Sequence, residues 1–271
     1  MRFLLLTVAA LMLVSCADES NLEQPVELVP FDTDYFLEVG WHASTGAGAE
    51  EQYVFLQPLI LKDIAVTVSR DGVLNIIDLH SGHFADDIEL DTIISAGVGG
   101  NENVWLVATR DAHVIAVDAV NRQERWRTRV SSEVLARPAI HSNTAIVRTI
   151  DGKIISLDLQ TGKIRWQYQR AIPDLTLRGS SEPLVTRDRV FAGLADGRLI
   201  AISPENGEVI WDTALATPAG RSEIQRLVDI DGDAELYGRV LYAASFQGRV
   251  AAIDVDRGQF LWARDFSTHT G

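Results

Sequence analysis

Residues 151–166 read DGKIISLDLQTGKIRW. The stretch opens on Asp151-Gly152, and Asp-Gly is the pair that most favours a two-residue hairpin turn, because both central positions of that turn require positive φ. From Ile154 to Leu159 the side chains of the two faces alternate, as in a half-buried β-strand. A second turn follows at Gly162, and a tryptophan comes four residues later. The stretch therefore predicts a hairpin turn, a strand, a second turn and a strand with one large aromatic side chain.

The same pattern recurs along the chain. The position of Gly152 is taken in the other repeats by Gly72, Ala112, Gly197 and Gly248. The steps between these positions are 40, 40, 45 and 51 residues. Periods of about 40 to 45 residues, with about four strands in each, are typical of propeller blades. The sequence therefore predicts an all-β fold, a β-propeller of four-stranded antiparallel blades.

A tryptophan marks the last strand of most repeats. The series consists of Trp41, Trp126, Trp166, Trp211 and Trp262. We expect these side chains to pack between neighbouring blades, which explains their regular recurrence. Trp41 precedes the first marked repeat, so we interpret the segment around it as a strand that completes the last blade and closes the ring.

Two residues depart from the repeat. Asp86 stands where the first marked repeat should carry its tryptophan, and Arg122 stands where the second should carry its turn glycine. An aspartate precedes this glycine position in four repeats, at residues 78, 118, 158 and 254. We expect each of these aspartates to cap its turn by binding nearby backbone amides.

The number of repeats limits the size of the ring. The chain supplies five periods between Trp41 and Trp262. An eight-bladed ring at this period would need well over about 300 residues, whereas the sequence has 271. Either a ring with few blades closes, or the chain is a C-terminally truncated propeller with about five of eight blades. We favour the truncated propeller.

The chain is strongly acidic, with a formal net charge of −14 and a pI of about 4.8. A surface that binds nucleic acid needs clustered lysines and arginines, and the basic residues here are scattered singly. The composition therefore argues against a nucleic-acid partner. We interpret the acidity as a contribution to solubility.

The N-terminus has the features of a bacterial lipoprotein signal. Residues 3–14 are an apolar run of 12 residues, too short to span a bilayer but suited to the core of a signal peptide. The run ends in the sequence LVSC, which resembles the lipobox at which cleavage exposes a cysteine for acylation. We predict a signal peptide at 1–15, lipidation at Cys16, an acidic tether at 16–34 and propeller repeats at 35–271. An ordinary signal peptide with an incidental cysteine is the alternative.

Two stretches interrupt the repeats. The first, residues 171–179 (AIPDLTLRG), places Leu175 and Leu177 beside Arg178 in a connecting segment. From the residues alone, the leucines either enter the first strand of the next blade or project from a loop. The second, residues 221–231 (RSEIQRLVDID), is an insertion in which apolar residues at helical spacing predict a short helical turn.

Acidic residues alternate at the end of the second stretch, at Asp229, Asp231, Asp233 and Glu235. A calcium loop needs clustered oxygen ligands and a glycine at its sixth place. The glycine of this segment is fourth. A solvated acidic loop is therefore favoured over a calcium site.

The two stretches carry a family resemblance. LTLRG at 175–179, followed by SEIQRLVDID at 222–231, resembles the BamB family, the lipoproteins of the bacterial β-barrel assembly machinery. The resemblance implies an eight-bladed scaffold without enzymatic activity, which docks on the periplasmic POTRA domains of BamA, is anchored in the outer membrane by lipid and supports the insertion of outer-membrane proteins. It also implies two docking patches, formed by Leu175, Leu177 and Arg178 and by Asp229 and Asp231. Whether the aspartates orient the arginine or meet a basic partner stays open.

An enzyme is the competing class, because quinone-dependent dehydrogenases use similar repeats. Those enzymes need calcium ligands, a cofactor-stacking aromatic residue and catalytic carboxylates, often with a disulfide between adjacent cysteines, whereas this chain has one cysteine. His80 and His83 have the spacing of metal ligands but lie in a predicted turn, where solvation is favoured over zinc. We expect no catalytic residue, metal or cofactor. A periplasmic propeller with another partner is a third class.

Replacing Cys16 by alanine should leave the protein without lipid, because the thiol is the group that is acylated. The measurement is the incorporation of a labelled fatty acid in a Gram-negative host, with the unsubstituted chain as the control. Label that persists in the Cys16→Ala protein would refute the lipobox interpretation.

Overall fold

A computed structural model describes residues 35, 37–46, 48, 52, 54–246 and 249–265. Within these residues the chain forms five β-sheets, each of four antiparallel strands in sequence order. Packing divides the chain into Met1–Gly40 and Trp41–Gly271, and the five sheets belong to the second unit. The predicted all-β architecture of four-stranded blades is confirmed, and each sheet corresponds to one repeat of the sequence.

The blades follow one another along the chain. The first comprises β1 (Leu59–Ile60), β2 (Ile64–Val68), β3 (Val73–Asp78) and β4 (Phe84–Glu89); the second comprises β5 (Ile94–Gly100), β6 (Val104–Thr109), β7 (His113–Asp118) and β8 (Glu124–Arg129); the third comprises β9 (Ala139–His141), β10 (Thr144–Thr149), β11 (Lys153–Asp158) and β12 (Ile164–Gln169). The fourth comprises β13 (Leu184–Val185), β14 (Val190–Gly193), β15 (Arg198–Ile202) and β16 (Val209–Ala214), and the fifth comprises β17 (Glu235–Tyr237), β18 (Val240–Ala244), β19 (Arg249–Asp254) and β20 (Phe260–Asp265). A single turn of 3₁₀ helix lies at Ile224–Arg226.

The Asp-Gly pairs lie in the hairpins between the second and third strands. In the third blade Thr149 pairs with Lys153, so the loop has three residues and not the two that were predicted. A three-residue loop requires positive φ only at its last position. Gly152 occupies that position with a φ of 81°, and Gly72 and Gly197 do so with φ values of 94° and 76°. The Asp151 carboxylate accepts a hydrogen bond from Thr149 Oγ1 at 2.5 Å.

The middle strands of the blades are buried on both faces. Every residue of β6 is buried, as are the four central residues of β3, β7 and β11. Four apolar clusters join the first blade to the second, the second to the third, the third to the fourth and the fourth to the fifth. The hydrophobic core therefore lies between neighbouring blades.

The first strands of successive blades lie side by side. β5 contacts both β1 and β9, and β9 also contacts β13. At Gly99 a Cβ atom would lie 1.7 Å from the carbonyl oxygen of Pro138, and at Gly97 it would lie 2.5 Å from the backbone of Gln57. The glycines of β5 are therefore required by the close approach of the two neighbouring blades.

The tryptophans join one blade to the next. The indole N–H groups of Trp41, Trp126, Trp166 and Trp211 donate to the carbonyl oxygens of Leu79, Leu159, Pro204 and Val255 at 2.8 to 3.0 Å. Each indole also covers the turn glycine of the following blade, where a Cβ atom would lie 2.6 to 2.7 Å from the ring; these glycines are Gly82, Gly162, Gly207 and Gly258. One hydrogen bond and one stacking contact thus recur at three junctions between blades, and Trp41 makes the same two contacts with the first blade. The described residues around Trp41 form no strand, so the predicted strand at this position is not observed.

The two departures from the repeat lie at one junction, between the first and second blades. The Asp86 carboxylate is 3.7 Å from Nε of Arg122. Arg122 has the positive φ of the glycine it replaces, 59°, and its guanidinium lies 4.5 Å from the centroid of the Trp105 ring. An ion pair and a cation–π contact therefore stand where the other junctions have a tryptophan on a glycine.

Several predicted features lie outside the described residues. They are the signal peptide at 1–15, Cys16, the tether at 16–34 and Gly248. Trp262 lies within the described residues and is 43% exposed. It belongs to β20, all of whose residues are exposed.

Trp126→Ala and Trp262→Ala should differ in their effect on stability. Trp126 is 8% exposed and fills a junction, so its truncation should lower the free energy of unfolding by about 3 to 5 kcal/mol. Trp262 is 43% exposed and fills no junction between described blades, so its truncation should cost less than about 1.5 kcal/mol. Urea unfolding of the two variants, followed by circular dichroism, measures both values. Equal losses would contradict the packing role of the tryptophan at the junction.

Candidate protein-interaction site

The first interrupting stretch forms a loop between the third and fourth blades. The loop lies between Gln169, the last residue of β12, and Leu184, the first residue of β13. Leu175 is 40% exposed, the Arg178 side chain is 67% exposed, and Leu177 is partly buried. The two leucines are therefore outside the first strand of the fourth blade, and the loop is the alternative that the structure supports. We name residues 171–179 the Leu-Arg loop.

An apolar surface surrounds the Leu-Arg loop. Ile172 within the loop and Ile150 in the neighbouring hairpin are 44% and 38% exposed. Both contribute, with Leu177, to the lining of a cavity of about 120 Å³ that opens beside the loop. The guanidinium-bearing side chains of Arg170 and Arg178 also line it. Arg170 is paired with the carboxylates of Asp196 and Asp212 at 2.6 and 2.9 Å. The surface thus combines exposed aliphatic groups with arginine, a residue type that is enriched at interface centres.

Arg178 is held by a carboxylate of another connection. Its Nη2 donates to Oε2 of Glu133 at 2.6 Å. Glu133 lies between β8 and β9, and its carbonyl oxygen accepts the N–H of Ile150 at 3.0 Å. A second cavity, of about 340 Å³, is lined by Glu133, Arg178, Phe55 and Arg110, among others. The side chain of Arg178 therefore lies between two concave surfaces, with one carboxylate fixing its direction.

Glu133 is a residue that the sequence did not reveal. It occurs in a connection without repeat pattern, 45 residues before its partner. The sequence left open whether Asp229 and Asp231 orient Arg178 or meet a basic partner. In the structure, the carboxylate that accepts a hydrogen bond from Arg178 is that of Glu133.

The aspartates of the second stretch bind the backbone of the Leu-Arg loop and of the residues that follow it. The N–H of Leu177 donates to Oδ1 of Asp229 at 2.9 Å. Oδ1 of Asp231 accepts the N–H of Ser180 at 2.5 Å and that of Ser181 at 3.3 Å. Further along, Oδ1 of Asp233 accepts the N–H of Glu182 at 2.7 Å. Three alternate carboxylates thus bind four amides, because side chains at alternate positions of an extended segment share one face. We name Asp229, Asp231 and Asp233 the aspartate row.

The aspartate row is itself fixed to two blades. The N–H of Ile230 donates to the carbonyl oxygen of Leu194 in the fourth blade at 3.2 Å. The carbonyl oxygen of Asp229 accepts the N–H of Phe246 in the fifth blade at 2.8 Å. The predicted helical turn before the row is the 3₁₀ turn at Ile224–Arg226, after which Leu227 and the following residue are buried. A segment held in this way is a rigid support for the Leu-Arg loop.

The predicted second docking patch needs correction. Asp229 is 1% exposed, and Asp231 is partly buried. Asp229 therefore presents no open carboxylate to a partner, and in both residues Oδ1 accepts hydrogen bonds from backbone amides of the loop and of the residues after it. The description as a solvated acidic loop is also wrong for Asp229. Sequence patterns could not show this, since alternating aspartates are equally compatible with an exposed segment.

Burial changes the acidity of Asp229 and Asp231. It raises the pKa of the Asp229 carboxyl to about 6, against the opposing effect of the Leu177 N–H. Burial also raises the pKa of Asp231 above its ordinary value, opposed by the N–H of Ser180 and the charge of Arg148. Among the described residues, Oδ2 of Asp229 has no hydrogen-bond partner. Asp229 therefore supports the Leu-Arg loop at a cost in stability when it is ionised.

The structure places His80 in an exposed turn, with its side chain 3.7 Å from Asp63. Across the described positions, no group of three or more His, Cys, Asp or Glu side chains is arranged to hold a metal ion. In the same residues, no helix is both long and apolar enough to cross a membrane.

Asp229→Asn should stabilise the protein at neutral pH. The raised pKa means that the unfolded chain releases the proton near pH 4 and the folded chain only near pH 6, so the wild type loses stability as the pH rises through this window and does not regain it above. The amide keeps an acceptor for the Leu177 N–H and does not ionise. We expect the variant to gain about 1 to 3 kcal/mol at pH 7.5 and nothing near pH 4.

Urea unfolding of both proteins between pH 4 and pH 8 measures this difference. Asp188→Asn is the matched control, because Asp188 is exposed. A gain for Asp229→Asn that does not change with pH would contradict the assignment to ionisation of the buried carboxyl.

Comparison with known proteins identifies relatives along the whole chain. The family model described as "Outer membrane protein assembly factor BamB" matches residues 41–271. BamB of Pseudomonas aeruginosa is 38% identical over 267 residues, which are 98% of this chain and 70% of that protein. BamB of Bordetella pertussis is 32% identical over 256 residues, which are 94% of this chain and 65% of that protein. The chain thus spans about two thirds of the length of these relatives.

Solved structures give the same result. The crystal structure of BamB from Moraxella catarrhalis matches with a TM-score of 0.74 and 31% identity, over 79% of this chain and 65% of that one. Quinohemoprotein alcohol dehydrogenase from Comamonas testosteroni matches with a TM-score of 0.63 and 16% identity, over 80% of this chain and 43% of that one. At such identity the dehydrogenase shares the fold alone. The family resemblance seen in the sequence is confirmed, and the chain belongs to the BamB family of outer membrane protein assembly factors.

Proposed function

We propose that this chain is a non-enzymatic scaffold lipoprotein of the machinery that assembles outer-membrane β-barrel proteins, and that it docks on the POTRA domains of BamA. The relatives that it matches are named outer membrane protein assembly factors. The observation that carries the proposal is the Leu-Arg loop. It presents Leu175 and Arg178 to solvent, while the buried carboxylate of Asp229 holds its Leu177 N–H and Asp231 holds the N–H of Ser180, directly after the loop.

A loop of this kind suits binding for a physical reason. Ordering a flexible loop at an interface costs conformational entropy, and a loop that is already fixed avoids much of that cost. The aspartate row fixes the backbone of Leu177 and Ser180, and Glu133 fixes the direction of Arg178. The docking surface that we propose consists of Leu175, Leu177 and Arg178. Asp229 and Asp231 act in it as supports and not as contacts.

The proposed place of action is the periplasmic face of the outer membrane. Cys16 would carry the lipid, and the acidic tether at 16–34 would extend the propeller from the membrane surface. More than one acyl chain gives stable anchoring, whereas a single chain gives marginal binding. The residue after Cys16 is alanine and not aspartate. By resemblance to the sorting of bacterial lipoproteins, this residue favours the outer membrane over the inner membrane.

Leu175→Ala combined with Arg178→Ala should lower affinity for BamA by at least about 30-fold, because truncation of central interface residues costs about 2 kcal/mol or more. Copurification of BamA with the lipidated chain from membranes is the measurement. Ile164→Ala with Arg165→Ala is the matched control, since Ile164 and Arg165 are 49% and 45% exposed on the outer strand β12. The control should copurify BamA as the wild type does.

Crosslinking identifies the partner directly. A photo-reactive residue at position 175, introduced into the chain in cells, should give an adduct with BamA that mass spectrometry identifies. Unchanged copurification with the docking variant, together with no BamA adduct, would overturn the proposed surface. An adduct with another periplasmic protein would favour a propeller with a different partner.

A further inference from the structure

Arg148 lies beside the Leu-Arg loop, and the repeat pattern does not explain a charged residue at its position. Arg148 is the one charged residue of β10, whose sequence is TAIVRT. Ala145, Ile146 and Val147 are fully buried, and Arg148 itself is partly buried. A charge in such a strand needs polar partners. Arg148 also lines the cavity beside the Leu-Arg loop, together with Leu177 and Arg178.

The guanidinium of Arg148 binds the residues that follow the loop. Its Nη1 donates to the hydroxyl oxygen of Ser181. That hydroxyl donates in turn to the carbonyl oxygen of Ile230, inside the aspartate row, at 3.2 Å. Ser181 is 3% exposed. Arg148 is thus connected through one buried hydroxyl to the segment that carries Asp229 and Asp231.

The end of the loop lies close to two opposite charges. A Cβ atom at Gly179 would lie 3.1 Å from Nη2 of Arg148 and 3.1 Å from Oδ1 of Asp231. The guanidinium and the carboxylate therefore both lie close to the position that a side chain at residue 179 would occupy, and they leave little room for one. Because Gly179 directly follows Arg178, its position limits where the arginine of the docking surface can lie.

Arg148 is also the positive charge that faces the aspartate row. Burial lowers the pKa of its guanidinium, and the carboxylates of Asp231, Asp229 and Asp233 oppose this lowering, in that order. The attraction is mutual, since the charge of Arg148 opposes the raised pKa of Asp229 and of Asp231. Removing the positive charge would leave the carboxylates of the row facing one another without compensation.

We propose that Arg148 is a positioning residue of the docking surface: through Ser181 and against the aspartate row it holds the Leu-Arg loop in the conformation that exposes Leu175 and Arg178. This inference rests on the proposed function for its effect on binding. Its effect on the loop can be measured on the protein alone. The residue acts through the loop and not by contact with the partner.

The test compares Arg148→Met with Arg148→Lys and a control. Methionine keeps much of the length but removes the charge and the hydrogen bonds, whereas lysine keeps the charge. Arg125→Met is the matched control, because Arg125 is also partly buried and pairs with an aspartate, Asp118, in the second blade. Hydrogen–deuterium exchange is followed in the peptides that cover residues 175–182 and, as an internal reference, the buried strand β11. Binding to a purified POTRA fragment of BamA is measured on the same proteins.

Arg148→Met should speed exchange in residues 175–182 at least about tenfold, leave β11 unchanged and weaken POTRA binding about tenfold or more. Arg148→Lys should recover part of both effects, and Arg125→Met should change neither. In a background of Asp231→Asn, the further effect of Arg148→Met should be smaller than in the wild type, because the two residues hold the same loop. This lack of additivity is not expected of an arginine that merely stabilises its blade.

Exchange that rises equally in β11 and the loop, or in neither, would overturn the positioning role. If Arg148→Met does not fold, Ser181→Ala takes its place, since it removes only the hydroxyl that Arg148 binds; a loop that exchanges as in the wild type would then overturn the proposal. Failure of the unsubstituted chain to bind the POTRA fragment would instead overturn the proposed function. The exchange data decide the role of Arg148 in fixing the loop in either case.

Discussion

Each blade of this chain has two apolar faces, and the core exists only where the faces of neighbouring blades meet. β6 and the centres of β3, β7 and β11 are buried on both sides, so no blade could bury its own apolar surface alone. The tryptophan of one blade on the turn glycine of the next fixes how the blades meet. Everything that is displayed at the surface, including the Leu-Arg loop, depends on this alignment.

The fold could be predicted from the sequence because the tryptophan and the turn glycine that meet at each junction recur at a regular period. The period of the turn glycines and tryptophans predicts the four-stranded blades, and the structure has them. The predicted two-residue turn at Asp151-Gly152 was wrong. Asp-Gly suits both two-residue and three-residue hairpin loops, and the strand register, in which Thr149 pairs with Lys153, decides between them. The sequence pattern of the middle strands predicts one buried and one exposed face, although neighbouring blades cover both faces.

The candidate site was predictable in part. Leu175 and Arg178 were singled out because they interrupt the repeats, and the structure shows both as exposed on a loop. The burial of Asp229 could not be predicted, because it depends on Leu194 and Phe246 in two different blades. Glu133 and Arg148 were missed for the same reason, although a single arginine within the apolar strand β10 was a visible sign. Contacts among three blades determine the site, and each blade contributes residues that are unremarkable in its own repeat.

The junction between the first and second blades differs from the others in its chemistry. Asp86 and Arg122 stand together where the other junctions have a tryptophan and a glycine. The two residues contact each other, so a substitution at either position changes the partner of the other. An ion pair is screened by salt, whereas an indole stacked on a glycine has no net charge to screen. Added salt therefore weakens the Asp86–Arg122 contact, whereas the apolar cluster that joins the first two blades has no charge to screen. Salt acts in the same way on the ion pairs that cross later junctions, Arg170–Asp212 and Arg189–Asp256, and on the Arg178–Glu133 pair beside the Leu-Arg loop.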